Sequence, residues 1–385
     1  MRRVIFAVIL LFAPVQAIAE VFRIASFNAA LSRKGPGQLL RDIDRQHKQV
    51  MAVAEIIQTV RPDILLLNEF DHDVDGRALA AFQALLATGD NGIRYGHSFA
   101  RAPNTGYPSG VDLDGDGRVN GPNDAFGFGN FPGQYGMAIL SRFAIDGDAA
   151  RSFARLRWVD FPDADLPANI DGTPFPDAAA QAAMRLSSKS HWDVPVVTPG
   201  GRLHLWASHP TPPVFDGPED RNGRRNSDEI TFWLRYLDGQ AFTDDDGRNG
   251  PRDRVATVIL GDLNSDPRDG DSNKRAIRAL LSHPLITDPE PQSAGGRRAS
   301  VEQGGVNADH QTDPALDTAD WRDTGGPGNL RVDYVLPTRD IQVVDAGVFW
   351  PEPDAPLSRL IGTGRRPVSS DHRLVWVDIR LQQDE

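Results

Sequence analysis

Apolar runs closed off by turn residues recur along the chain, at residues 21–27, 64–67, 137–140, 203–207, 255–260, 332–336 and 374–379. Runs this short, bounded by Gly, Pro, Asn or Asp, read as strands. Several, such as Ile64-Leu65-Leu66-Leu67, are apolar on both faces, as strands covered on two sides are. Between them the apolar spacing turns helical. Leu39, Leu40, Ile43, Val50, Val53, Ala54, Ile57 and Val60 mark one long amphipathic helix ending before Pro62. Residues 77–87, 227–237 and 272–281 give shorter helices. Strands and helices interleave from end to end, which predicts a layered α/β architecture. No repeat or linker divides residues 20–385, so they read as a single domain. Three Gly-, Pro-, Asp- and Asn-rich segments, 104–134, 160–177 and 292–329, read as long loops of the kind that carry function.

The N-terminus sets the expected compartment. Arg2 and Arg3 precede an apolar run at residues 4–13, and Ala17-Ile18-Ala19 supplies small residues where a signal peptidase reads. That is the pattern of a secretory signal peptide, here residues 1–19, and its core is too short to span a bilayer. The expected location is secreted or periplasmic, without stable membrane insertion, and no obligate protein partner is evident. There is no cysteine, so disulfides and thiolate zinc sites are excluded, and stability must come from a large core or bound ions. The net charge of −12 argues against a broadly basic nucleic-acid-binding surface, although bound metal ions supply positive charge locally.

The chemistry lies where the strands end. Residues 21–27 deliver Asn28, residues 64–67 deliver Asn68 and Glu69, residues 203–207 deliver Ser208 and His209, and residues 255–260 run into Gly261-Asp262-Leu263-Asn264. Asp333 opens the 332–336 strand, and Ser370-Asp371-His372 precedes the last one. If those two strands run antiparallel to the others, all six positions share one edge. Each position alone has an ordinary role as a cap, an Asx turn or a loop residue. Together, carboxylates and amides converging with two histidines need a cation, and oxygen donors suit Mg²⁺, Mn²⁺ or Ca²⁺.

In this order, Ser26-Phe27-Asn28, Leu67-Asn68-Glu69, Ser208-His209, Gly261-Asp262-Leu263-Asn264, Arg331-Val332-Asp333-Tyr334 and Ser370-Asp371-His372 resemble the endonuclease/exonuclease/phosphatase superfamily. That group includes secreted deoxyribonucleases and bacterial sphingomyelinases. Gly136 to Arg142 matches a further strand of the family. The resemblance implies a four-layer α/β sandwich, two packed mixed β-sheets flanked by helices. It also implies metal-dependent phosphoester hydrolysis by activated water, without a covalent intermediate. Glu69 resembles the principal ligand of a Mg²⁺ or Mn²⁺ ion, helped by Asn28 and Asp371. Asp262 resembles the carboxylate that orients or deprotonates the attacking water, and Asn264 a donor to phosphoryl oxygens. His372, with Asp333 behind it, resembles the pair that meets the phosphate. His209 resembles a second histidine at the phosphate or the leaving oxygen. The acidic stretch Asp71 to Asp75, where many members carry a basic or aromatic group, departs from the pattern and reads as a turn.

Two further features stand apart. Asp112, Asp114, Asp116 and Asn120, with Gly at the sixth position, follow the start of an EF-hand-type loop and predict a structural Ca²⁺, although Asn123 occupies the place of the usual closing Glu. Arg221, Arg224 and Arg225 follow His209 and offer guanidinium groups to substrate phosphate, as do Arg365 and Arg366. The expected substrate is a phosphodiester, with extracellular nucleic acid foremost. A phosphomonoester or phospholipid is the alternative, and a catalytically inactive module binding a phospho-ligand is the rival from another class.

Overall fold

The computed structural model describes residues 20–253, 255–362 and 367–381. Residues 1–19, read above as a signal peptide, and Arg365 and Arg366 lie outside the described residues. In chain order the strands are β1 (Phe22–Leu31), β2 (Ile64–Phe70), β3 (His97–Phe99), β4 (Met137–Ser141), β5 (Ala144–Ile145), β6 (Arg151–Ser152), β7 (His191–Thr198), β8 (Gly201–Ser208), β9 (Phe242–Thr243), β10 (Asn249–Gly250), β11 (Thr257–Asp262), β12 (Ala319–Asp320), β13 (Asn329–Leu330), β14 (Asp333–Pro337), β15 (Ile341–Val348) and β16 (Val375–Leu381). The α-helices are α1 (Gln38–Asp44), α2 (Lys48–Val60), α3 (Arg77–Leu86), α4 (Ala178–Ala183), α5 (Arg221–Leu237), α6 (Lys274–Leu281) and α7 (Ala294–Gln303).

One mixed sheet runs β15-β16-β1-β2-β4-β3, and the other runs β14-β11-β8-β7-β5 with β6 beside β7. Their facing sides share one core, where Ile24, Leu65, Ile139 and Val377 of the first meet Val194, Leu205, Val258 and Leu260 of the second. Side chains alternate across a strand, so the neighbouring residues face outward. Trp206, Ile259, Tyr334 and Leu336 form a second core with Ile230 and Trp233 of α5 and Ile277 and Leu280 of α6. Val50 and Ile57 of α2 and Phe82 of α3 join the core of the first sheet. Strands β4, β11 and β14 are buried along their whole length because both of their faces are covered. The result is the four-layer sandwich of two sheets between helices.

Strand directions place the chemistry. β1 pairs parallel with β2, and β8 parallel with β11, so their C-terminal ends point the same way. β14 is antiparallel to β11, and β16 to β1. The starts of those two strands therefore join the ends of the others, with Asp333 opposite Asp262 in register.

The local readings differ in several places. The single long helix is two, because Gln46 takes positive φ (52°) and the His47 ring caps α2 by accepting from the Gln49 amide. Helix α5 begins at Arg221, six residues before the apolar periodicity starts, since its first turns are polar. The loop at 292–329 contains α7, whose Gly-Gly-Arg-Arg start hides any apolar stripe. Strands β7 and β15 were not anticipated. Pro195 interrupts the first, and polar or exposed residues fill the middle of the second.

Candidate active site

The strand-end residues converge at one edge of the two sheets. Asn28, where the regular pairing of β1 with β2 breaks, donates from Nδ2 to Glu69 Oε1 (3.2 Å) and to Asp262 Oδ2 (3.0 Å), joining one sheet to the other. Asn68 accepts from the Asp262 backbone amide across the same seam (3.3 Å). Ser370 Oγ donates to the Asn28 carbonyl (2.7 Å), which ties the last loop to the first strand. The backbone is bent to make these contacts. Glu69 and Asn264 both hold positive φ, 56° and 51°, a cost that non-glycine residues bear mainly at sites that need it. Gly261 has φ 149°, and a Cβ there would lie 1.9 Å from the Ser208 carbonyl oxygen, so β8 and β11 approach this closely only with glycine.

Asp262 is the hub. Its Oδ2 lies 3.4 Å from His209 Nε2 and 3.7 Å from His372 Nε2, while its Oδ1 accepts from the Asn264 amide (2.8 Å). His372 Nδ1 sits 2.8 Å from Asp333 Oδ2. The histidines have opposite character. Burial works against charge on His372, but Asp333 and Asp262 outweigh it and hold the ring well above the ordinary histidine range. Burial, with Lys189 and His372 nearby, pushes His209 well below that range. Asp262 is pushed up to about 6 by burial and by Asp333, against the pull of His372. Separating like groups in this way is the usual means of running acid and base chemistry side by side.

The carboxylates call for a cation. Burial, then the Asp371 charge, raises Glu69, whose oxygens among the described residues are met only by Asn28 and by Ser32 Oγ (3.4 Å). Asp371 accepts from Trp321 Nε1 (3.0 Å), and the Trp321 ring stands edge-on to His372 at 5.3 Å. Asp262, Asp333 and His372 also form a buried set whose ligand atoms lie within 4.8 Å of one another. Oxygen donors short of counter-charge fit a hard divalent ion, and Glu69, Asn28 and Asp371 would hold it.

Of the remaining candidates, Arg221 and Arg225 line the cleft and the others fall elsewhere. The Asp112, Asp114 and Asp116 carboxylates converge within 4.8 Å, and Asn120 is exposed on the same loop. Asp124, near the position of the missing Glu, is buried and accepts from the Leu113 and Gly121 amides. Asn123 donates to Asp114 Oδ2 (2.8 Å). The three arginines are also engaged by the fold itself. Arg225 is buried and donates to the carbonyls of Leu186, Phe126, Arg185 and Ser187. Arg221 donates to the Leu113 carbonyl, and Arg224 pairs with Asp165. Their guanidinium groups brace loops at and beside the cleft. The acidic turn after Glu69 is structural: Asp73 caps α3 through the Arg77 and Ala78 amides.

Three residues went unnoticed in the sequence. Trp321 orients Asp371 from within a long loop. Glu229 is fully buried on α5 and accepts from the Ser188 amide (2.7 Å) and the Thr211 amide (2.7 Å), clamping the loops on either side of the site. Lys189 is buried at the cleft; burial lowers its ammonium, while Glu229, Glu69 and Asp262 pull the other way. It flanks β7, the strand that the apolar pattern did not reveal, so no periodicity signalled it.

The fold and this edge define a class, the metal-dependent phosphoester hydrolases. The model of the Endonuclease/Exonuclease/phosphatase family matches residues 25–372, and the chain belongs to that family. Among solved structures it is similar to an endonuclease/exonuclease/phosphatase from Beutenbergia cavernae, at 20% identity and TM-score 0.50, covering 94% of this chain and 72% of that one. It is also similar to sphingomyelinase C from Streptomyces griseocarneus, at 13% identity and TM-score 0.46, covering 93% and 99%. A third similarity is to a 3'-5' exonuclease from Neisseria meningitidis, at 14% identity and TM-score 0.44, covering 92% and 98%. No curated protein matches the chain in sequence.

Proposed function

We propose that this chain is an exported phosphodiesterase. The observation that carries the reading is the pair of histidines, one pushed towards the neutral form and the other held protonated, flanking one carboxylate, with His209 and His372 at 3.4 and 3.7 Å from Asp262 Oδ2. Asp262 orients the attacking water and accepts its proton. His372, held charged by Asp333, donates to phosphoryl oxygen as negative charge builds up there. Asn264 adds a neutral donor, and His209 stands toward the leaving oxygen. A divalent ion would be held by Glu69, Asn28 and Asp371, where it would supply charge neutralisation and polarisation of the water.

Nucleic acid is the first substrate reading, as the sequence suggested. A second is favoured by the cleft, which has a volume of about 1530 Å³ and walls that include Phe128, Met184, Val214, Phe215, Trp321 and Leu330. Lys189, Arg221, Arg225 and Arg322 line it against Glu69, Asp262, Asp266, Asp269, Asp271, Asp309 and Asp371. A polyanion gains little from such a balance. A compact phosphodiester carrying an apolar group fits the walls, and Phe215, 88% exposed, offers it a ring. The test is hydrolysis of plasmid DNA and RNA beside a diaryl phosphodiester, sphingomyelin and inositol phosphates, with Mg²⁺, Mn²⁺ or Ca²⁺. Turnover confined to phosphomonoesters would sink the phosphodiesterase reading, and inactivity on the whole panel would favour a phospho-ligand-binding module.

The Asp112 loop supports a second proposal, a structural Ca²⁺ site in which Asp112, Asp114 and Asp116 face one another.

A further inference from the structure

The cleft holds a buried cation that the roles above leave idle. Lys189 is 6% exposed and lines the cleft beside Glu69, His209, Asp262, Asn264 and His372. Among the described residues its ammonium has no hydrogen bond and no carboxylate within 4 Å. A buried ammonium costs several kcal/mol unless something compensates it, so lysines in such places ordinarily touch an acid. Three acids surround this one, and each is committed elsewhere. Glu229 holds the Ser188 and Thr211 amides. Asp262 accepts from Asn28 and the Asn264 amide. Glu69 accepts from Asn28 and Ser32. They supply a field that favours a cation without consuming its three donors.

The mounting is stiff. Ser188, one residue before, is gripped by Glu229 through both its amide and its hydroxyl (2.7 and 3.0 Å), and the Lys189 carbonyl accepts from the Asn104 amide (2.9 Å). The same Glu229 fixes the loop that follows His209, so the lysine and that histidine are set relative to each other by one carboxylate. Donors fixed in advance and left vacant suit a ligand that brings its own negative oxygens.

We propose that Lys189 is an oxyanion-binding residue, whose ammonium takes a non-bridging oxygen of the phosphoryl group held over Asp262. This rests on the phosphoester reading of the site, so the test separates the two. Lys189→Met and Lys189→Arg would be compared with the parent in three measurements: kcat and KM on a diaryl phosphodiester with Mn²⁺, binding of inorganic phosphate in metal-free buffer, and thermal midpoint without metal. Lys189→Met is expected to lose on the order of a hundredfold in kcat/KM and most of its phosphate affinity. Its midpoint should be equal or higher, because an uncompensated buried charge has gone, and Lys189→Arg should recover part of the phosphate binding. Unchanged phosphate binding in Lys189→Met overturns the proposal, and so does a fall in midpoint with activity, the mark of an ammonium that serves only its acidic neighbours. If the parent hydrolyses no phosphoester but its phosphate binding still depends on Lys189, the oxyanion site stands and the hydrolase reading fails.

Discussion

Replacing Asp333 by Asn tests the electrostatic logic of the site most sharply. The change keeps the shape and preserves an oxygen to accept from His372 Nδ1, which now lies 2.8 Å from the carboxylate. It removes only charge. Opposite unit charges about 4 Å apart attract by about 4 kcal/mol at the effective dielectric suited to buried pairs. Burial opposes the imidazolium, and Asp333 is the larger of the two charges holding it against that opposition, ahead of Asp262. Without it His372 is expected to be neutral at pH 7.5 and to lose its role as a charged donor. One such donor is worth about 3 kcal/mol, roughly a hundredfold in kcat. The sign of the pH effect follows. The parent keeps His372 protonated across neutral pH, whereas the variant should recover activity as pH falls and the ring regains its proton. The assay is kcat and KM on a diaryl phosphodiester from pH 5 to 9, with the His372 ring followed by NMR. Parental kcat with an unaltered pH profile, in a variant whose His372 titrates lower, would refute the claim that the charge on His372 matters.

Glu69→Gln should weaken Mn²⁺ binding and reduce turnover by at least about a hundredfold while the fold is kept, since a single ligand charge is removed; calorimetric Mn²⁺ titration matching the parent would remove Glu69 from the ion. Asp114→Ala with Asp116→Ala should abolish any Ca²⁺-dependent rise in thermal midpoint, because only an ion that binds the native state stabilises it. An equal Ca²⁺ response in both proteins would leave the loop a plain turn. Asp317 is pushed up to about 8 by burial and then by Asp266, Asp269, Asp313 and Asp320. A carboxyl raised in the folded state favours folding most below its unfolded value and loses that contribution as pH rises to about 8. Asp317→Asn should therefore raise the denaturation midpoint at pH 8 and flatten its decline from pH 5, and an unchanged slope would count against it. Protein recovered from its native host should begin at or near Glu20, and full-length chain in the cytoplasm would rule out export.

Much of the fold was legible in the chain because burial on both faces of a strand leaves a continuous apolar run. The runs ending in Asn28, Glu69, His209 and Asp262 named the edge where the site forms, and their order with Asp333 and His372 named the family. Where burial left no such trace, the reading failed. Pro195 broke the signal of β7 and hid Lys189, and α5 began six residues before its apolar stripe. For Arg221, Arg224 and Arg225 a sequence gives the charge but not the partners, which are the Leu113 carbonyl, Asp165 and, for Arg225, four loop carbonyls. Strand direction was a condition in the sequence and became a fact only in the fold, where β14 and β16 run antiparallel and bring Asp333 beside Asp262. The identity of the groups is local chemistry, and the sequence determined it. Their charge states depend on burial and on neighbours far apart in the chain, such as Asn28 and Asp262. Only the tertiary structure could make one histidine neutral and the other charged.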